Sequence, residues 1–256
     1  MSTSLPASCR LAWWGTAWLH GRVVTDLVVD AVLDQDATHA VAGLSAVGLP
    51  GEDATDTLVV ALGRLRSAGA QGFGAALPVD GDPVGLGGPR AFNTAALETG
   101  EAVVVSGAGP GGANVGLVPR RVGAAITWTA HAADRRQLPD VGDADRTLRA
   151  SLLETAEALA RLDVARWRPE VADRLMNLRH RPHVDAPDGV PPRCVDLAAR
   201  GLQAMEIVEV ALEDDGGAVT AYEIGSRRYA LRPLERAGRR ALVAACSPEV
   251  WPPHRD

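Results

Sequence analysis

The run Glu101 to Ser106 constrains this chain most. Its Ala102-Val103-Val104-Val105 core gives way at once to Gly107-Ala108-Gly109-Pro110-Gly111-Gly112. Three successive valines are stiff in a helix and fit a pleated surface, and an unbroken apolar run is the pattern of a buried strand. Gly72 to Val79 reads as a second short strand, followed by a Gly, Pro and Asp loop through Gly88. Pro89 stands where a helix accepts its first residue, and that helix runs to Thr99 and stops at Gly100. The order strand, helix, strand predicts one right-handed parallel crossover, a βαβ-like unit. Val115 to Val118 and Gly123 to Ala130 read as further strands returning antiparallel, which makes a small mixed sheet of three to four strands.

The rest of the chain reads as helix. Leu11, Trp14 and Trp18 fall at i, i+3 and i+7, a core stripe. Val23 to Leu33 and Asp53 to Ser67 follow, the latter with Leu58, Leu62 and Leu65 on one face and Gly69 placed to end it. Asp143 to Leu162 is amphipathic, and Pro169 to Arg179, Val195 to Leu212, Thr220 to Ala230 and Pro233 to Ala245 complete the series. Thr220 and Glu223 have capping-box spacing. The expected fold is mixed α/β (α+β): a helical segment over residues 1–70, a small sheet region over 71–134 and a helical region over 143–256. The short charged join between the last two lets all three share one core.

Composition removes whole classes of chemistry. All 26 basic residues are arginine. Reactions that need a lysine amine, such as phosphate-loop hydrolysis of nucleotides, Schiff-base catalysis and protein phosphorylation, are therefore excluded. Ile and Asn occur three times each while Ala, Val, Leu and Gly abound, so the missing lysine fits a GC-rich coding bias. A net charge of −6 gives no dedicated nucleic-acid surface. Cys9, Cys194 and Cys246 are scattered and odd in number, a poor disulfide framework that suits a reducing cytoplasm. The apolar run Leu11 to Leu19 is about half the length a membrane span needs, and export and membrane insertion are not expected.

Four places could carry chemistry. The glycines 107, 109 and 112 match a dinucleotide fingerprint, but Asn114, Gly116 and Pro119 follow in a strand-like segment where a helix is required, so no cofactor is expected. The loop Asp80 to Arg90 lies where a strand ends and a helix begins. There the amides around Gly87 and Gly88, the Arg90 guanidinium and Asn93 could receive a small anion, and Asp80 with Asp82 a divalent ion. The competing reading is a plain turn. His180, His183 and Asp185 lie within six residues, with Cys194 beyond them, at a spacing that fits no compact zinc module. Arginines 228, 232, 236, 239 and 240 form a stripe, expected to be solvated or to pair with Glu206, Glu209 and Glu213 on the preceding helix.

The residues point first to a non-catalytic cytoplasmic protein that works through contacts with a protein partner or a second copy of itself, with room for a small regulatory ligand. The alternative is an enzyme or binding domain for a small anionic metabolite, built on Asp80, Asp82, Gly87, Gly88, Arg90 and Asn93.

Overall fold

The computed structural model describes residues 4–161, 182–213 and 221–251. The expected helix over 169–179 and the Thr220 cap lie outside them.

The first helix, α1 (Ala7–Leu19), is buried nearly all round rather than along one stripe. Leu11 and Trp13 are fully enclosed, and Trp14 of the expected stripe is only half-buried. α1 lies on the sheet, where Gly15 admits the Phe73 ring: a Cβ there would stand 2.9 Å from Phe73 Cδ2. α2 (Thr25–Leu33) follows the predicted span closely, whereas α3 (Leu58–Ser67) starts five residues later than the expected Asp53, because Asp56 and Thr57 pair with the sheet as a short strand. Leu58, Leu62 and Leu65 are all buried, and Thr57 Oγ1 caps α3 by accepting from the Val60 amide at 3.4 Å.

The sheet is mixed and has six strands, β1 (Thr38–Ala42), β2 (Asp56–Thr57), β3 (Gly72–Ala76), β4 (Ala102–Ser106), β5 (Asn114–Val122) and β6 (Ala125–Ala133). Their order is β2-β1-β6-β5-β4-β3. The expectation of three to four strands misses β1 and β2. The first is a five-residue stretch of small and polar residues, Thr-His-Ala-Val-Ala, and the second is only two residues long. Among the described residues β1 and β6 are the one parallel pair.

The predicted parallel crossover is not there: β3 and β4 are antiparallel neighbours, with Ala76 opposite Ala102 and Gly72 opposite Ser106. The intervening loop and α4 (Arg90–Thr99) leave the sheet and return to the same end of it, where Gly100 (φ 76°) turns the chain back. An apolar run reports burial on both faces but not strand direction, so the sequence pattern serves either topology. The two faces do differ. Val103 and Val105 join the large core with α1, while Ala102 and Val104 meet Phe92 and Ala96 of α4.

Among the described residues three long helices follow the sheet, α5 (Val141–Arg161), α6 (Pro192–Glu213) and α7 (Ala221–Ala245). The two helices expected on either side of Pro233 are one. Proline removes a single intrahelical bond, Pro233 is on the exposed side, and packing on α5 and α6 carries the helix through.

The outer edge of β3 is closed by other parts of the chain. Thr16 Oγ1 accepts from the Phe73 amide at 2.9 Å and donates to the Phe73 carbonyl at 3.1 Å. The Ala75 amide donates to the Cys246 carbonyl at 2.9 Å, and Arg136 Nη1 donates to the Ala75 carbonyl at 2.9 Å. An edge that would otherwise present unpaired groups is satisfied by the first helix, the last helix and one buried guanidinium.

Candidate functional site

The loop singled out by sequence folds as a turn and an anchor. Asp80 and Gly81 (φ 77°) sit at the tip of a tight turn closed by reciprocal bonds between Val79 and Asp82 at 2.9 and 3.1 Å. Asp80 is exposed, whereas Asp82 is buried and faces the arginine stripe of α7. Its Oδ1 accepts from Arg240 Nη2 at 2.8 Å, and its Oδ2 lies 3.3 Å from Arg239 Nη2 and 3.5 Å from Arg236 Nε. The two acids are thus not brought together. The Gly88 amide donates to Asn93 Oδ1 at 3.0 Å, and the Gly88 carbonyl accepts from the Asp134 amide at 2.8 Å. Gly87 packs so closely on the 135–136 backbone that a Cβ would stand 2.2 Å from the Arg135 carbonyl oxygen. Arg90 is exposed at the start of α4. The loop's polar groups are therefore largely spent on holding it to α7 and to residues 134–136.

The arginine stripe finds its partners at Asp82 and Glu235, the latter 2.8 Å from Arg239. Sequence reading could not supply Asp82, which is more than 150 residues away. Arg228 and Arg232 are exposed and make no ion pair among the described residues.

The glycine-rich turn after β4 contains a short 3-10 turn, Pro110–Gly112, and leads into β5, a hairpin connection. His183 Nε2 and Asp185 Oδ1 are 3.1 Å apart in full solvent, with His180 outside the described residues and Cys194 buried within α6. No group of three His, Cys, Asp or Glu side chains among the described residues is placed to hold a metal ion.

His39, which carries no signal in the sequence, and the three scattered cysteines have defined surroundings. His39 is buried in β1, with Nε2 3.0 Å from Asp36 Oδ2 and Nδ1 3.2 Å from Trp128 Nε1. An indole nitrogen only donates, so Nδ1 accepts and the ring proton sits on Nε2, donated to Asp36. Burial lowers the His39 pKa, and Asp36 opposes this without reversing it. A histidine with both nitrogens occupied has none to offer a hydroxyl nucleophile. The three cysteines converge from the starts of α1 and α6 and the end of α7, all fully buried. Burial pushes the Cys194 thiol up to about 11, and burial beside Cys9 raises Cys246 well above the usual range, so these thiols are poor nucleophiles.

Open space lies elsewhere. A cavity of about 520 Å³ separates Arg10 and Trp14 of α1 and Leu27 and Asp30 of α2 from His183 and Asp185. A second, of about 420 Å³, opens between the first turns of α5 and α6 and is lined by Arg146, Arg149, Arg193 and Arg200 together with Asp145 and Asp196. The signal for it is present in the sequence, since each arginine pair repeats at helical spacing, but it means nothing until the two helix starts are known to be neighbours.

The fold and these surfaces define an α+β protein in which a mixed sheet is joined to three long helices. Among the described residues no helix is long and apolar enough to cross a membrane. The chain belongs to the Rv1486c-like protein family: the family's N-terminal domain matches residues 8–143 and its C-terminal domain residues 142–243. The uncharacterised protein Rv1486c of Mycobacterium tuberculosis (strain ATCC 25618 / H37Rv) is 31% identical over 294 aligned residues, covering 96% of this chain and 98% of that protein. The uncharacterised protein ML1804 of Mycobacterium leprae (strain TN) is 27% identical over 295, covering 96% and 98%. No solved structure shows a significant match to the chain.

Proposed function

We propose that this protein is a non-catalytic cytoplasmic protein that acts through contacts with another polypeptide. The observation that supports this reading is the outer face of α7. Arg228, Arg232, Arg236 and Arg240 recur every four residues along one side of that helix, with Tyr229 exposed beside them. Asp82 holds the C-terminal half of this row, and the N-terminal half is exposed and makes no ion pair among the described residues. Guanidinium groups and tyrosine are the side chains that protein interfaces favour. The buried thiols and the doubly bonded His39 lend themselves to core structure rather than to reaction chemistry. Amide hydrogen exchange on the protein isolated with its partner tests the reading. Exchange slows across residues 225–240 if α7 carries the contact; unchanged exchange there, with protection elsewhere, contradicts it.

The alternative, a small anionic metabolite bound by the loop from Asp80 to Arg90, has less to support it, because Asp82, Gly88 and Asn93 already bond within the chain.

A further inference from the structure

We infer that the cleft between the first turns of α5 and α6 is a binding site for a small phosphorylated anion. Four guanidinium groups, of Arg146, Arg149, Arg193 and Arg200, border a space of about 420 Å³. That volume is within the range of small-molecule sites, roughly 300–1,000 Å³.

The arrangement is built around one carboxylate. Asp145 bonds to Arg149, one turn along α5, and pairs across the cleft with Arg200 of α6. Burial opposes ionisation of Asp145, but the two arginines outweigh it and hold its carboxyl below the usual range. It therefore stays charged and fixes both guanidiniums. Asp196 Oδ2 lies 3.3 Å from Arg200, whose side chain is only 15% exposed. Arg146 pairs with Asp143 at the outer rim, and Arg193 makes no ion pair among the described residues.

Charge and geometry then select the ligand class. Four guanidiniums face two lining carboxylates and Asp143 at the rim, which leaves one positive charge, with Arg193 the guanidinium not committed to an ion pair among the described residues, in a chain whose net charge is −6. A phosphate monoester carries about −1.5 to −2 at neutral pH and three acceptor oxygens, which can take the Arg193 charge together with the remaining N–H donors of its neighbours. Guanidinium forks bind such oxygens in pairs, and in a protein with no lysine they are the permanently charged side chains that can do so. The site is separate from the α7 row, so its failure would leave the proposed protein contact standing.

Isothermal titration of the full chain with pyrophosphate tests the inference, with citrate as a carboxylate control. The expected result is saturable one-to-one binding, weakened about tenfold or more by Arg146→Ala with Arg193→Ala and unchanged by Arg228→Glu with Arg232→Glu. All four substituted arginines lie at the surface, and an unaltered melting temperature shows that the variants fold. Three results would overturn the inference: no binding in the millimolar range, binding that the cleft pair does not affect, or citrate bound as tightly as pyrophosphate.

Discussion

Arg136 Nη2 lies 2.7 Å from Glu249 Oε1, and this ion pair closes the open side of the sheet. The Arg136 side chain is 2% exposed and also donates to Ser247 Oγ and to the Ala75 carbonyl, so one guanidinium joins β3, the segment before α5 and the turn after α7. Gly74 makes room for it, since a Cβ there would stand 1.9 Å from Arg136 Nη2. Gly74→Ala displaces a buried charge from its partners and is expected to cost about 3 kcal/mol or more in a urea titration. Gly63→Ala is the control: nothing lies within 4 Å of its Cβ, and an alanine in mid-helix is expected to stabilise by about 0.5–1 kcal/mol. Equal effects at the two glycines would show that the guanidinium is not held as described.

Asp82 and Asp80 are separated by one residue and by very different surroundings. Asp82→Asn removes the buried carboxylate shared by Arg236, Arg239 and Arg240 and leaves Arg239 only its pair with Glu235, and a loss of about 1.5–3 kcal/mol is expected. Asp80→Asn changes an exposed turn tip and is expected to stay within about 0.5 kcal/mol. If both substitutions were silent for stability, Asp82 would not be the anchor of α7.

These two acids also show what sequence could and could not convey. Helix spans were legible because Leu58, Leu62 and Leu65, or Gly100 after Thr99, are local signals of burial and termination. Strand direction at β3 and β4 was not, because a run such as Val103 to Val105 is equally apolar in either topology. β1 was missed because its polar residues are satisfied at a distance, His39 by Trp128 of β6. In the candidate loop the sequence shows Asp82, Gly88 and Asn93 but not their partners, which come from α7, from residue 134 and from one another.

His39 makes stability depend on pH. Burial lowers its pKa in the folded state below the usual 6.5, so the unfolded chain binds a proton more readily. Its contribution is therefore complete above about pH 6.5 and is lost as the pH falls from there toward the folded-state pKa. His131, lowered by burial beside Phe92, acts with the same sign. Urea midpoints should fall between about pH 7.5 and 5.5, and His39→Gln should flatten part of that slope. A flat profile would mean that His39 accepts a proton in place.

The three thiols provide a check on packing. Cys9, Cys194 and Cys246 should react with a water-soluble disulfide reagent only after denaturant is added, because access to all three is closed and burial raises the Cys194 and Cys246 thiols. Rapid labelling of any of them in the native protein would contradict their burial.

The central claim is that the exposed half of the α7 arginine row is a contact surface for another chain. Native mass spectrometry on the protein isolated gently from its own cells tests it most directly, comparing the wild type with Arg228→Glu and Arg232→Glu. The account predicts a complex containing a second polypeptide in fixed proportion, and its loss in the double variant while the subunit itself remains folded. A complex that survives the double substitution, or a wild-type subunit that carries no other polypeptide, would contradict it.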